Sequence, residues 1–136
     1  MKIVNSLPPN FNAILANGMN PDPMRTVFTY NDTIYNPSGN PIPMHLQKHE
    51  EVHMRQQNGD PDNWWGRYFV DSYFRIDQEA EAYAAQYDNI CIFERDRNKR
   101  VRILHELAGF LSGKGYGGII GKIDAMKIII SKAKTK

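Results

Sequence analysis

Apolar residues recur at helical spacing through most of the chain beyond residue 44, whereas the first third alternates short apolar runs with turn residues. Residues 2–5 form a strand candidate stopped by Leu7-Pro8-Pro9, and Asn10 caps a brief helix over 11–16 that Asn17-Gly18 closes. Residues 25–30 and 32–35 read as two strands joined through Asn31-Asp32, a hairpin with its tight turn. Three prolines, Pro37, Pro41 and Pro43, then lead into a helix over 44–58 with Gly59 as its stop. Trp65, Tyr68, Phe69, Ser72, Tyr73 and Ile76 follow the i, i+3, i+4, i+7 rule and predict a helix with an aromatic core stripe. Asp77 opens the next helix, whose face is Ala80, Tyr83, Ala84, Tyr87, Ile90 and Cys91. A charged connection over 94–100 precedes a helix carrying Val101, Leu104, Leu107, Ala108 and Leu111. A glycine-rich loop over 112–118 then leads to a last helix on Ile119, Ile123, Met126 and Ile130, with a frayed basic tail over 132–136.

The pattern amounts to an α+β, mainly helical fold in a single domain over 1–136, with an antiparallel hairpin packed near the helix over 44–58. A net charge of +2 with 24% charged residues calls for neither nucleic acid nor an anionic membrane. Cys91 is the single cysteine, so neither an internal disulfide nor a thiolate metal site is expected. No apolar run has signal-peptide or transmembrane length, which points to a soluble chain made in a cytoplasm, bacterial or host.

The helix over 44–58 is poor in apolar residues, and its centre reads His49-Glu50-Glu51-Val52-His53. Residues four apart share a helix face, so this HExxH spacing turns two imidazoles toward one metal ion. Zn²⁺ suits the pair, because a catalytic zinc takes three protein ligands and leaves a fourth position to water. Glu50 lies roughly 100° round the helix from His49, beside the metal and placed to accept a proton from that water. A third ligand is needed. The HExxHxxGxxH arrangement is excluded, because Gln56 and Gly59 occupy its glycine and third histidine positions. Asp60 or Asp62 just past the helix, and a glutamate within Gln78-Glu79-Ala80-Glu81-Ala82-Tyr83-Ala84, remain open.

The combination of His49-Glu50-Glu51-Val52-His53, Trp64-Trp65-Gly66-Arg67-Tyr68-Phe69 and Glu79-Ala80-Glu81-Ala82-Tyr83 resembles the small gluzincins, HExxH…E zinc metallopeptidases of the minimal kind found in phages and bacteria. The likeness covers roughly residues 44 to 90, with a looser match at Leu111 to Gly118. It implies a zincin-like fold and Zn²⁺ held by His49, His53 and Glu79. Glu50 would be the general base of peptide-bond hydrolysis, with a protein or peptide as substrate and the hairpin as the edge that receives it. Many such proteins carry Asp or Asn four residues past the ligand glutamate to orient a zinc histidine; this chain has Tyr83 there. A catalytically silent zincin-fold protein, serving phage assembly or host interaction with its cleft closed over the metal, is the rival expectation. His45 and His105 are read as surface or structural, Tyr116 as either a packed ring or a mobile phenol that stabilises an oxyanion, and Arg75 as a partner for a carboxylate.

Overall fold

The hairpin turns on Asn31, whose φ of 59° lies in the left-handed region that asparagine tolerates. In a computed structural model of the chain, which describes residues 1–135, this hairpin consists of β2 (Phe28–Tyr30) and β3 (Thr33–Tyr35), with Tyr30 opposite Thr33. The strand expected to begin at Arg25 is shorter, because residues 25–27 have no ladder partner. β1 (Lys2–Val4) completes the sheet by pairing in parallel with β3, Ile3 opposite Ile34, giving the order β1-β3-β2. Ile34, on the central strand, is fully buried. α1 (Phe11–Ala16) lies in the crossover between β1 and β2 and buries Ile14.

The rest is helical, and the fold is α+β and mainly helical. α2 (Met44–Gln57) ends at Asn58, which takes left-handed geometry before Gly59. α3 (Pro61–Val70) starts with proline in its first turn behind the Asp60 cap. The aromatic pattern predicted one helix through this region with a boundary at Asp77; the boundary is instead at Asp71. Its extended backbone closes α3 through its N–H to the Arg67 carbonyl, and its carboxylate caps α4 (Ser72–Phe93) at the Phe74 N–H. The stripe shifts too: Trp64 is buried where Trp65 was expected, and Tyr73 is exposed.

α4 touches α2, α3, α5 and α6. One of its faces, Ile76, Ala80, Ala84, Tyr87 and Cys91, meets Leu107, Ala108 and Leu111 of α5 (Arg97–Leu111) and Ala125 and Ile129 of α6 (Lys122–Lys132) to form the core. The other, Glu79, Ala82 and Gln86, follows the i, i+3, i+7 ridge toward α2. The charged link belongs partly to α5, because Asp96 caps it at Asn98 and Lys99. α6 begins after Gly121 rather than at Ile119, and a 3-10 turn over Lys114–Tyr116 occupies the glycine-rich loop. The tail is held where fraying was expected: Ala133 is buried, and the N–H groups of Lys134 and Thr135 both donate to the Asp88 carboxylate. Lys136 of that tail lies outside the described residues. Among the described residues, no helix is long and apolar enough to cross a membrane.

Candidate metal centre

α2 buries polar groups where a helix of its length normally buries leucines: His49, Glu50, His53 and Gln57, with Val52 the one apolar residue among them. Buried polar atoms are costly unless paired, so the partners of each decide what the face is for. Gln57 ties α2 to the hairpin, accepting from the Asn31 N–H at 2.6 Å and donating to the Thr29 carbonyl at 3.0 Å. Trp65 Nε1–H donates to the same carbonyl. The Thr29 carbonyl on the outer edge of β2 is therefore taken, while residues 25–29 line the cleft.

His49 and His53 stand against Glu79 of α4. His49 Nε2 lies 3.2 Å from Glu79 Oε1, His53 Nε2 lies 3.1 Å from the same oxygen, and the two Nε2 atoms are 3.2 Å apart. The other ring nitrogens fix what these atoms are. His53 Nδ1 is 2.8 Å from Gln56 Oε1, while Gln56 Nε2 donates both to the Gln78 carbonyl and to Glu81 Oε1. Two acceptors around its nitrogen settle the carboxamide orientation, so His53 Nδ1 must be the donor to Gln56. His49 Nδ1 meets Gln86 Oε1 at 3.0 Å, and Gln86 Nε2 lies 2.9 Å from His45 Nδ1; in this carboxamide orientation His49 Nδ1 is the donor. Both imidazoles thus present Nε2 lone pairs to a carboxylate oxygen. Three acceptors at this spacing repel unless a cation or a proton sits among them, and the donor set fits a metal ion.

Electrostatics agree with that need. Burial alone would depress His53, yet the Glu79 carboxylate outweighs it and carries the imidazole up to about 9. Glu79 itself is pushed up by burial but held well below the usual carboxylate range by His53 and His49. Its second oxygen accepts from the Tyr68 hydroxyl at 2.6 Å, leaving Oε1 for the centre. Glu50 is raised by burial, with His49, His53 and the Thr29 hydroxyl opposing. Thr29 Oγ1 donates to Glu50 Oε1 at 3.0 Å, and Glu50 Oε2 stays free of that bond, 3.7 Å from His49 Nε2. His49, Glu50 and His53 together form a group able to hold a metal ion, their ligand atoms within 4.8 Å of one another. Glu79 stands closer to the histidines than Glu50 does.

The remaining sequence candidates fall as follows. Glu81 turns away from the centre to Gln56 and Arg55. Asp60 caps α3, and Asp62 accepts from the Tyr30 hydroxyl; neither joins the cluster. Arg75, expected to pair with a carboxylate, instead donates to the Tyr68, Phe69 and Tyr116 carbonyls. His105 is exposed on α5. Tyr83 packs edge-on against His49 with ring centroids 4.5 Å apart, and its hydroxyl lies 2.8 Å from that of Tyr116. Burial, then the Glu79 charge, push both phenols up, so both keep their protons. Sequence reasoning missed Gln56, Tyr68, Gln86 and Thr29. Same-face spacing was the available signal for two of them, Gln56 lying three residues beyond His53 and Gln86 seven beyond Glu79.

A cleft of about 1010 Å³ opens over this cluster. One wall is the segment from Asn17 to Phe28, and the other is the end of α5 with the glycine-rich turn. Compared with protein-family models, with curated proteins and with solved structures, the chain matches none.

Proposed function

We propose that this chain is a zinc-dependent metallopeptidase of gluzincin type, with a zincin-like fold, in which His49, His53 and Glu79 hold the metal and Glu50 is the general base. The observation that carries the proposal is the triangle of His49 Nε2, His53 Nε2 and Glu79 Oε1, with edges of 3.1 to 3.2 Å. Two atoms each about 2.1 Å from one ion at tetrahedral angles stand roughly 3.4 Å apart, so the triangle is close to a zinc ligand set. Two imidazoles and one carboxylate make a three-ligand catalytic complement rather than a closed four-ligand structural one. The open cleft favours catalysis over a silent fold closed above its metal.

A bound zinc supplies Lewis acidity, lowering the pKa of water to about 7 and polarising a carbonyl. The chain's own groups supply the rest. Glu50 accepts a proton from water on Oε2, its Oε1 being tied to Thr29, and returns it to the leaving amine nitrogen. The raised pKa of Glu50 suits a group that must hold and then release that proton. Tyr116, braced by the Tyr83 hydroxyl, donates to the oxyanion that develops on the scissile carbonyl. Tyr68 and the two glutamines keep Glu79 and the histidines in place.

Hydrolysis of an unfolded protein substrate by zinc-loaded wild type, by chelator-treated protein and by Glu50→Gln tests this. Activity is expected from the first alone. Hydrolysis undiminished in Glu50→Gln would remove Glu50 as the base, and no hydrolysis by zinc-loaded wild type of any polypeptide would favour the silent fold.

A further inference from the structure

The side chains around the cleft differ in kind from its floor. The two carboxylates that face it, Glu50 and Glu79, are buried at the centre and engaged with the histidines. Cations stand on the walls. Lys114 is exposed on the glycine-rich turn, and Arg25 on the opposite wall has a side chain 87% exposed. Arg25 is partly offset by Asp22, 3.9 Å away, a solvated pair of little strength. Behind the turn sits Arg75, a buried guanidinium that donates to three carbonyls and, among the described residues, forms no ion pair with a carboxylate. Beside Lys114 on the same wall is Phe110, an aromatic ring 61% exposed although it lines the cleft and stacks on Tyr83. Tyr83 in turn touches His49, which places Phe110 one ring beyond the metal centre. Leu46, Val27 and Met19 add half-buried apolar surface.

We propose that the cleft selects acidic polypeptide segments with a large apolar side chain near the scissile bond, Phe110 forming the apolar wall and Lys114 the cationic lip. The proposal rests on the peptidase reading of the site. Phe110 gives a substrate side chain the apolar surface it lacks in water, while its own inner face is already fixed by Tyr83. The two buried carboxylates would offset a divalent metal, so the excess positive potential in the cleft comes from Lys114 with Arg75 behind it, which attracts acidic segments and repels basic ones. One unit charge about 7 Å from another across water changes affinity roughly threefold, so exchanging a glutamate for a lysine near Lys114 shifts it about tenfold.

Binding to zinc-loaded Glu50→Gln protein separates this from hydrolysis. The probes are three fluorescent peptides of one length: a central Phe flanked by Glu, the same flanked by Lys, and a central Ala flanked by Glu. A single-stranded oligothymidine is the fourth. The Glu-flanked Phe peptide is expected to bind about tenfold tighter than the Lys-flanked one at low salt, a gap that closes at high salt. Lys114→Glu should abolish or reverse that preference, and Phe110→Ala should cost about tenfold with the central Phe peptide while leaving the Ala peptide unchanged. Equal or tighter binding of the Lys-flanked peptide, indifference to both variants, or oligothymidine binding above every peptide would overturn the proposal. If the selectivity is found while wild type hydrolyses none of the peptides, the cleft's preference for acidic segments with an apolar residue stands as binding and the peptidase reading fails; if hydrolysis is found without the selectivity, the peptidase reading stands and the proposal fails.

Discussion

Replacing Gln86 by leucine tests how the centre is held. In the native protein His49 Nδ1–H donates to Gln86 Oε1, and Gln86 Nε2 meets His45. Leucine keeps the approximate volume and removes both bonds. His49 is 5% exposed, so its Nδ1–H loses its acceptor with little water to replace it, at a cost of about 1–3 kcal/mol. His45 is half-buried and recovers a water partner. With no acceptor at Nδ1, the proton gains nothing there over Nε2, and the imidazole is no longer pinned in its ligating tautomer. Metal affinity should fall about 10- to 100-fold, the range usual for loss of such a partner. Competition with a chromophoric chelator measures it, and thermal denaturation of the metal-free protein shows whether the fold survives. Gln86→Glu restores an acceptor and should recover affinity to within a few fold. Leucine binding metal as tightly as wild type, or glutamate binding as poorly as leucine, would refute the tautomer argument.

The pH dependence of metal binding follows from His53. Its pKa in the metal-free protein is raised from 6.5 to about 9, so the imidazolium–Glu79 attraction stabilises the fold fully below about 6.5 and is lost as pH rises through about 9. A metal must displace that proton; apparent affinity should therefore climb about tenfold per pH unit from 7 to 9 and then level, and a flat profile over that range would contradict the assignment. Thr29→Val removes the donor to Glu50 Oε1 and should lower kcat about tenfold or more with KM little changed, whereas Thr29→Ser should keep most of the rate; loss in both equally would point to packing of β2 rather than to the hydroxyl. Leu111→Ala empties a site 1% exposed among α4, α5 and α6 and should cost about 2–5 kcal/mol in denaturant unfolding; a loss under about 1 kcal/mol would mean that this core collapses to refill it.

The helix bearing the histidines was legible because its signals are local: prolines before it, Asn58-Gly59 after it, and a polar centre that no ordinary core helix would carry. The turn at Asn31 was legible for the same reason. The break at Asp71 was not, because Trp64 and Tyr68 on α3 and Ile76 on α4 continue one apolar rhythm across it. An aspartate that ends one helix and caps the next leaves no gap in that rhythm. The parallel pairing of β1 with β3 depends on a crossover through α1, which no short-range pattern encodes. At the centre, His49, Glu50 and His53 follow from spacing on one helix. That Glu79 rather than Glu81 meets them depends on how α4 is rotated against α2, and the resemblance rather than the spacing pointed to it. Gln86 takes the histidine-orienting place that Tyr83 left open, and it escaped notice because its role exists only once α2 and α4 are packed. Tyr83 is instead spent on the His49 ring and on Tyr116.

The most direct test of the metal centre is elemental analysis of the purified chain beside its Glu79→Ala and Glu81→Ala variants, each dialysed against the same trace zinc. About one zinc per chain is expected in wild type and in Glu81→Ala, and a loss of most of it in Glu79→Ala. Zinc retained in Glu79→Ala but lost in Glu81→Ala, or wild type that takes up none, would contradict a centre built from His49, His53 and Glu79.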